Sequence, residues 1–220
     1  MKITDDKIKQ DIEDQFQWDS RLSGSPIDIE VSERRVSLSG KVPNHMAKEA
    51  AETISRAIPG VLTVVNNITV LYPTHIAIPS DLEISSALMN AYRLNPALDD
   101  SKIHFSVDKG VVKIAGTVDS LWKAYKAENM AYDMKGVVEV VNELAVVPTE
   151  TYRDEQIAQS IISAFDRNRN IDSDAVVVKV INGKVILSGT QPNWLAHQSV
   201  IDIVRYSPGV NELVNEMTIS

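Results

Sequence analysis

An internal triplication constrains the fold of this chain more than any other feature. One set of glycines follows a short alternating apolar segment in each third of the chain, with steps of 76 and 73 residues: Gly40, Gly116 and Gly189. The same two steps separate three further sets: Gly60, Gly136 and Gly209; Asn66, Asn142 and Asn215; Asp5, Asp81 and Asp154. Four markers that share one spacing indicate three copies of a unit of about 70 residues. We therefore predict three tandem domains, at residues 1–71, 79–147 and 151–220.

Each copy follows one pattern of periodicity. Apolar residues at i, i+4 and i+8 open the copy, as in Ile8, Ile12 and Phe16, and this spacing predicts an amphipathic helix. Two strands with period-2 alternation follow, then a second helix and a third strand. The second helices begin after good N-cap residues at equivalent positions: Asn44, Ser120 and Asn193. The order αββαβ predicts an α+β fold, a two-layer unit in which two helices cover one face of a mixed three-stranded sheet.

The turn between the first two strands differs among the copies. Lys109–Gly110 and Asn182–Gly183 are strong signals for a two-residue hairpin turn. The first copy has Glu33, Arg34 and Arg35 at this place, so we expect a turn there that is longer or strained. The linkers between copies are short and contain proline, which favours semi-fixed angles. Because a unit this small buries only about 60% of its unfolded surface and the chain has no cysteine, we expect contacts between copies.

The second and third strands of each copy resemble the BON domain family, named for osmotically inducible bacterial proteins and nodulation proteins. The pattern that carries the resemblance is V-x-[LI]-x-G at a strand end, followed after 20 residues by a G-V-x-x-V-x-N-like strand. The second motif occupies residues 60–66, 136–142 and 209–215, so the resemblance covers nearly the whole chain. It implies membrane attachment, phospholipid interaction and stress protection in bacterial envelopes, and it brings no catalytic residues.

Composition and motifs point away from catalysis. The chain has no cysteine and its four histidines occupy no metal-ligand spacing, so we expect neither a metal nor a cofactor. No P-loop, dinucleotide-binding or nucleophile-elbow motif occurs, and we expect no enzymatic activity. The recurring glycines and asparagines are predicted to be structural, because turns and close backbone approaches demand such residues. The formal net charge of −8 repels nucleic acid, which we do not expect as a partner.

The tryptophans are the most informative surface candidates. Trp122 and Trp194 fall in the first turn of the second helices of copies two and three. They fit an interfacial wedge that enters lipid or a partner's groove, or a staple against the chain entering the helix. Lys123 and Lys126 follow Trp122, and they form a small basic-aromatic contact if all three share a helix face. Trp18, at the end of the first helix, is expected to pack in the core or between copies.

The outer face of the sheet in the third copy is predicted to be apolar, unlike the polar outer faces of the other copies. Four aliphatic residues fall at positions expected to point away from its helices: Val177, Ile181, Ile186 and Val214. This cluster predicts packing against another copy or another chain, with an ordinary scatter of exposed apolar atoms as the alternative. A homo-oligomer is therefore one option.

Together with the resemblance, these observations indicate a non-catalytic binding protein with three BON-like domains. The leading hypothesis is association with phospholipid membranes in envelope or osmotic-stress physiology. The alternative is a soluble adaptor or chaperone-like module that binds proteins through sheet faces and edges. The first ten residues contain no apolar signal segment, so we expect a cytoplasmic protein, with a peripheral position at the inner membrane as one option.

Overall fold

Each copy folds into its own three-stranded sheet backed by two helices. The computed structural model describes residues 3–72 and 77–219, so residues 73–76 of the first linker lie outside it. The first unit contains α1 (Asp5–Trp18), β1 (Ile27–Ser32), β2 (Arg35–Val42), α2 (His45–Ala57) and β3 (Thr63–Val70). The second contains α3 (Asp81–Arg93), β4 (Ile103–Asp108), β5 (Val111–Val118), α4 (Leu121–Tyr132) and β6 (Glu139–Val146). The third contains α5 (Asp154–Asp166), β7 (Val176–Ile181), β8 (Lys184–Gln191), α6 (Trp194–Arg205) and β9 (Glu212–Ile219).

The three sheets are mixed, as the element order predicted. In each unit the first two strands pair antiparallel and the second and third pair parallel, giving the orders β1-β2-β3, β4-β5-β6 and β7-β8-β9. The parallel pair requires a crossover, and the second helix of the unit supplies it. The predicted α+β fold with three αββαβ units is confirmed, and the first and third strands form the edges of each sheet.

The core of each unit lies between the sheet and its two helices. Ile8, Ile12 and Phe16 are buried on α1, as the spacing predicted. Leu38 of β2 and Ile68 of β3 belong to the same buried cluster. The equivalent residues on the first helices of the other units are also buried: Ile84, Leu88, Tyr92, Ile157, Ile161 and Phe165. The narrow apolar stripe therefore sets how each first helix docks on its sheet.

Two of the three predicted N-caps make the expected side-chain hydrogen bond. The Oδ1 atoms of Asn44 and Asn193 accept from the backbone N–H three residues on, at 2.8 and 2.9 Å. Ser120 occupies the N-cap position of α4, but its hydroxyl donates to the Asp119 carboxylate and makes no cap bond to the helix. Position alone therefore identified the start of all three helices, but not the hydrogen bond at Ser120.

The hairpin turn is the same length in all three units and is strained in the first. Both central residues have positive φ in each turn, with 51° and 65° at Glu33 and Arg34 against 51° and 76° at Lys109 and Gly110. The aspartate that opens each unit accepts hydrogen bonds from both turn N–H groups; Asp5 does so at 2.8 and 2.9 Å. This role explains why an aspartate recurs with the unit spacing. The first turn is thus strained, not longer, because Arg34 adopts a conformation that favours glycine.

The first set of recurring glycines allows a close backbone approach inside a strand. Gly40 has φ of 124°, and a Cβ built there would lie 2.1 Å from the carbonyl oxygen of Pro26. Gly116 and Gly189 show the same geometry at 2.0 Å. We expected these residues to end a strand, but each strand continues for two more residues. The neighbour that excludes a side chain is the segment entering the first strand, not a helix.

The three units contact one another head to tail and close into a ring. The start of each second helix meets the end of the second helix of another unit through a pair of side chains: His45 with Tyr132, Trp122 with Tyr206, and Trp194 with Arg56. The first pair joins units one and two, the second joins units two and three, and the third returns to unit one. Contacts between corresponding helix ends that return to their origin give approximate threefold symmetry within a single chain, although the pair between units two and three lies one residue further along both helices.

Across the described ranges 3–72 and 77–219, no helix combines the length and the apolar content that a membrane crossing requires. The longest, α1, has 14 residues.

Candidate functional site

Trp122, expected from sequence to be a surface wedge, lies partly between the second and third units. Its side chain is half-buried, and its ring centroid lies 6.4 Å from that of Tyr206, which follows α6. Lys123 places its Nζ atom 5.7 Å from the Trp122 ring centroid and 2.7 Å from the Asp119 carboxylate. Lys126 is exposed one turn further along α4. One of the two lysines is thus neutralised locally, and lipid contact by this group stays a prediction.

Trp194 also lies between units. Its ring is half-buried, with the Cζ atom of Arg56 4.9 Å from its centroid on one side. The ring centroid of His197 lies 5.5 Å away, nearly parallel. Burial lowers the pKa of His197, and the charge of Arg56 lowers it further. Trp194 therefore contributes to the contact that closes the ring. The sequence had suggested either insertion into lipid or a partner's groove, or packing against the chain that enters the helix, and neither interpretation predicted this contact.

Trp18 is the residue for which the sequence expectation was wrong. It was expected to pack in the core or between copies, but the residue is 88% exposed. It ends α1, and the unit spacing makes it equivalent to Leu94 after α3, which is 82% exposed. The third equivalent residue is Arg167 after α5, which is also exposed. The same tip of the unit thus carries an aromatic, an aliphatic and a cationic side chain.

Polar residues surround these tips. Beyond Trp18, the Arg21 guanidinium lies 2.7 Å from the Asp19 carboxylate, and its hydrogen bonds lower the pKa of that carboxyl to about 2. In the third unit Arg169 is exposed two residues beyond Arg167. The Asp19 charge is paired, and the tip of the third unit is cationic. Electrostatic repulsion between the tips and anionic headgroups is therefore weaker than the net charge of −8 implies.

The aliphatic patch of the third unit is partly open to solvent. Val177 and Ile181 on β7 are 62% and 45% exposed, while Ile186 and Val214 are half-buried. Ile186 lies beside Val214 in the parallel pair. Lys179 stands opposite Ile186 on β7 and interrupts the patch. Among the described residues, Val177 and Ile181 stay largely open to solvent, and packing against another chain stays a prediction.

The recurring asparagines bind the second helix to the third strand. The Asn66 Nδ2 group donates to the backbone oxygen of Lys48 at 3.1 Å and to the Glu52 carboxylate at 3.2 Å. Asn142 makes the equivalent pair of bonds. In the third unit Asn215 instead contacts His197 Nε2 at 3.2 Å. The partner is in each case the second helix of the same unit, and these contacts give the asparagines a structural function.

The recurring second glycines also have a local explanation. Gly60 has φ of 94°, and a Cβ there would come within 3.1 Å of Ile3, which precedes α1. Gly136 and Gly209 have similar φ values, and their added Cβ atoms would lie 2.8 Å from Ile84 and Tyr152. A residue with positive φ therefore follows the end of each second helix, as is common where helices end. It also leaves room for the start of the first helix.

Within residues 3–72 and 77–219 no cluster of three or more histidine, aspartate or glutamate side chains is suited to hold a metal ion. The features that distinguish the surface are therefore the exposed helix tips, the aliphatic patch and the contacts between units.

Sequence and structure comparisons found proteins similar to this chain. A relative from Anaplasma centrale, described as an uncharacterized protein in the gshII 5′ region, is 35% identical over 120 residues, which span 52% of this chain and 80% of the relative. Two solved structures of CdsD, a structural protein of the type III secretion system of Chlamydia trachomatis, align over 96% of this chain at 16% identity. The alignments cover 90% and 96% of those chains with TM-scores of 0.26 and 0.27, and at this similarity they carry no argument about function.

The family comparison covers nearly all of the chain. The family described as BON domain matches residues 4–72, 80–148 and 153–220. These three segments correspond to the three sheets with their helices. The chain therefore belongs to the BON domain family, with three tandem copies of the domain.

Proposed function

We propose that this chain is a non-catalytic BON protein that associates with phospholipid membranes through the tips of its first helices. Members of the family are associated with membranes and phospholipids, and the family is in general non-catalytic. The observation that carries the proposal is the exposure of Trp18 and Leu94, two large apolar side chains at equivalent positions of neighbouring units. Exposed apolar side chains of this size are suited to insertion at a lipid interface.

The ring supports contact with a single plane. Rotation about the approximate threefold axis leaves the height of a residue along that axis unchanged. Trp18, Leu94 and Arg167 are equivalent, so the approximate symmetry places them at similar heights along that axis. An apolar pair with a cation at the third tip matches the interface of a bilayer that contains anionic lipid.

The expected binding is weak and reversible. Burying one side chain of the size of leucine gives about 1.5–3 kcal/mol, so two tips provide limited affinity. The net charge of −8 gives no long-range attraction to anionic lipid. Insertion of the two apolar tips therefore contributes more to the binding free energy than electrostatic attraction does. The affinity should depend only modestly on salt concentration. Such a surface fits a peripheral position at a membrane in envelope or osmotic-stress physiology.

Vesicle co-sedimentation tests this proposal. We expect the full chain to pellet with vesicles of phosphatidylglycerol and phosphatidylcholine, at low salt and at physiological salt. The double substitution Trp18→Ala with Leu94→Ala should lower the bound fraction several-fold. Leu82→Ala is the matched control, because Leu82 is 77% exposed at the opposite end of α3. Equal binding by the folded double variant, or no binding by the unmodified chain at either salt, contradicts the proposal.

The aliphatic patch supports a second candidate, a protein adaptor. Val177 and Ile181 lie exposed on β7, which is an edge strand with one unpaired side. An edge strand with outward apolar residues can add a strand from another chain. Ile181→Lys should then reduce any self-association or partner binding seen by light scattering. An unchanged molar mass across a concentration series, for both chains, contradicts the adaptor.

A further inference from the structure

The contact that closes the ring leaves a cleft between the first and third units. The cleft has a volume of about 590 Å³, within the range of about 300–1,000 Å³ common for small-molecule sites. Trp194, Leu195 and Ile219 form its third-unit wall, and Arg34 and Arg56 contribute cations from the first unit. The cleft thus combines an apolar wall with two positive charges.

The charges of this cleft are only partly compensated. Arg34 donates from Nε to the backbone oxygen of Gly60 at 2.7 Å, and among the described residues no carboxylate pairs with its guanidinium. Arg56 pairs with Glu52 at 2.8 Å and also lies over Trp194. No acidic residue lines the cleft within the described part of the chain. In a chain with a net charge of −8, this is a local positive site.

The other junctions lack this combination. Glycine occupies the position equivalent to Arg34 in both, as Gly110 and Gly183. The corresponding gap between units one and two has about 310 Å³ and is lined by charges of both signs, Asp133 and Lys135. Glu128 and Glu212 line the gap between units two and three. The first unit therefore keeps an arginine where its sister units have glycine, at a positive φ that disfavours a side chain.

We propose that this cleft binds an anionic amphiphile, a ligand with one carboxylate or phosphate head on an aliphatic chain. The head lies near the guanidinium group of Arg34, whose hydrogen bond to the backbone leaves from Nε, and a guanidinium suits contact with either kind of oxyanion. Arg56 adds a second positive charge nearby, although its Nε and Nη2 groups already donate to Glu52. The chain lies against Trp194 and Leu195. Because the ligand contacts both units, its binding stabilises the closed ring. The site is separate from Trp18 and Leu94, so the inference does not depend on membrane contact at the helix tips.

Nuclear magnetic resonance of the tryptophan indole N–H groups tests this site directly. The chain has three tryptophans, and each reports a different place. The probes are decanoate and a short-chain phosphatidic acid, both below their micelle concentrations, with acetate and decanol as the head alone and the chain alone. We expect either or both amphiphiles to shift the Trp194 signal in a saturable way, with little change at Trp18. The amphiphile that binds more tightly identifies the preferred head group.

Substitutions at Arg34 and at the adjacent Arg35 test whether Arg34 itself is needed for ligand binding. Arg34→Gly introduces the residue of the sister units, so the turn should fold, and it should weaken binding by roughly tenfold or more through loss of a charged hydrogen bond. Arg35→Gln is the matched control, since Arg35 is exposed on β2 and does not line the cleft. No shift at Trp194 with either amphiphile overturns the proposal. Equal binding by the two variants, or equal shifts from acetate, decanol and the amphiphiles, also overturns it.

Discussion

Replacing Trp194 by alanine should open the ring while leaving the three units folded. An aromatic side chain buries about 150–250 Å² when fully enclosed, and Trp194 is half-buried. At about 25 cal/mol per Å², loss of the buried part removes about 2.5 kcal/mol. The contact with Arg56 at 4.9 Å adds about 0.5–2 kcal/mol, because the cation lies over the indole face. The closing contact should therefore weaken by about 3–4.5 kcal/mol in total.

Small-angle scattering and urea unfolding measure this effect together. The radius of gyration should increase for Trp194→Ala, since no linker joins the first unit to the third. Leu195→Ala is the matched control, because Leu195 is the next residue on α6 and is 64% exposed. Its scattering profile should stay that of the unmodified chain. If Trp194→Ala matches Leu195→Ala in both scattering and free energy of unfolding, the reasoning about ring closure is refuted.

Two further predictions concern stability. Gly40→Ala should cost at least about 4 kcal/mol, since a Cβ would lie 2.1 Å from the Pro26 oxygen, whereas Gly24→Ala, with φ of 77° and open space, should cost about 1–2 kcal/mol. Similar unfolding free energies for the two variants would contradict the clash. The lowered pKa of His197 means that folding disfavours its protonation, so its contribution is intact above its ordinary value of 6.5 and is lost as pH falls below it. The melting temperature should fall between about pH 7.5 and about pH 5.5, and less so for His197→Gln; an equal fall in that variant would count against this cause.

Much of the architecture could be predicted because backbone geometry demands certain residues. The glycine at position 40 is required by a carbonyl oxygen 2.1 Å from its missing Cβ, so the same glycine recurs in every unit. Asp5 recurs because it accepts from both N–H groups of the hairpin turn. Constraints of this kind act within a unit, over short distances in the chain. Because every unit is subject to the same constraints, the residues that satisfy them recur in the sequence at the unit spacing.

The candidate site was less predictable, for reasons of geometry between units. Trp194 and Trp122 carry no local sign that their rings lie against neighbouring units, because that depends on how the linkers orient whole domains. Trp18 was assigned to packing on its size alone. A helix turns by about 100° per residue, so Trp18 stands about 200° from the buried Phe16 and faces away from the core. Together with its equivalence to Leu94, that angle was the signal that could have identified it as exposed.

Depth-resolved quenching of Trp18 tests membrane contact at the helix tips most directly. In a chain with Trp122→Phe and Trp194→Phe, Trp18 is the one remaining tryptophan. Its emission should fall on addition of anionic vesicles whose lipids carry bromine near the glycerol level, and it should be unaffected by vesicles without bromine. Unchanged Trp18 emission, under conditions in which the chain pellets with the same vesicles, would show that the membrane is contacted elsewhere and would contradict the account.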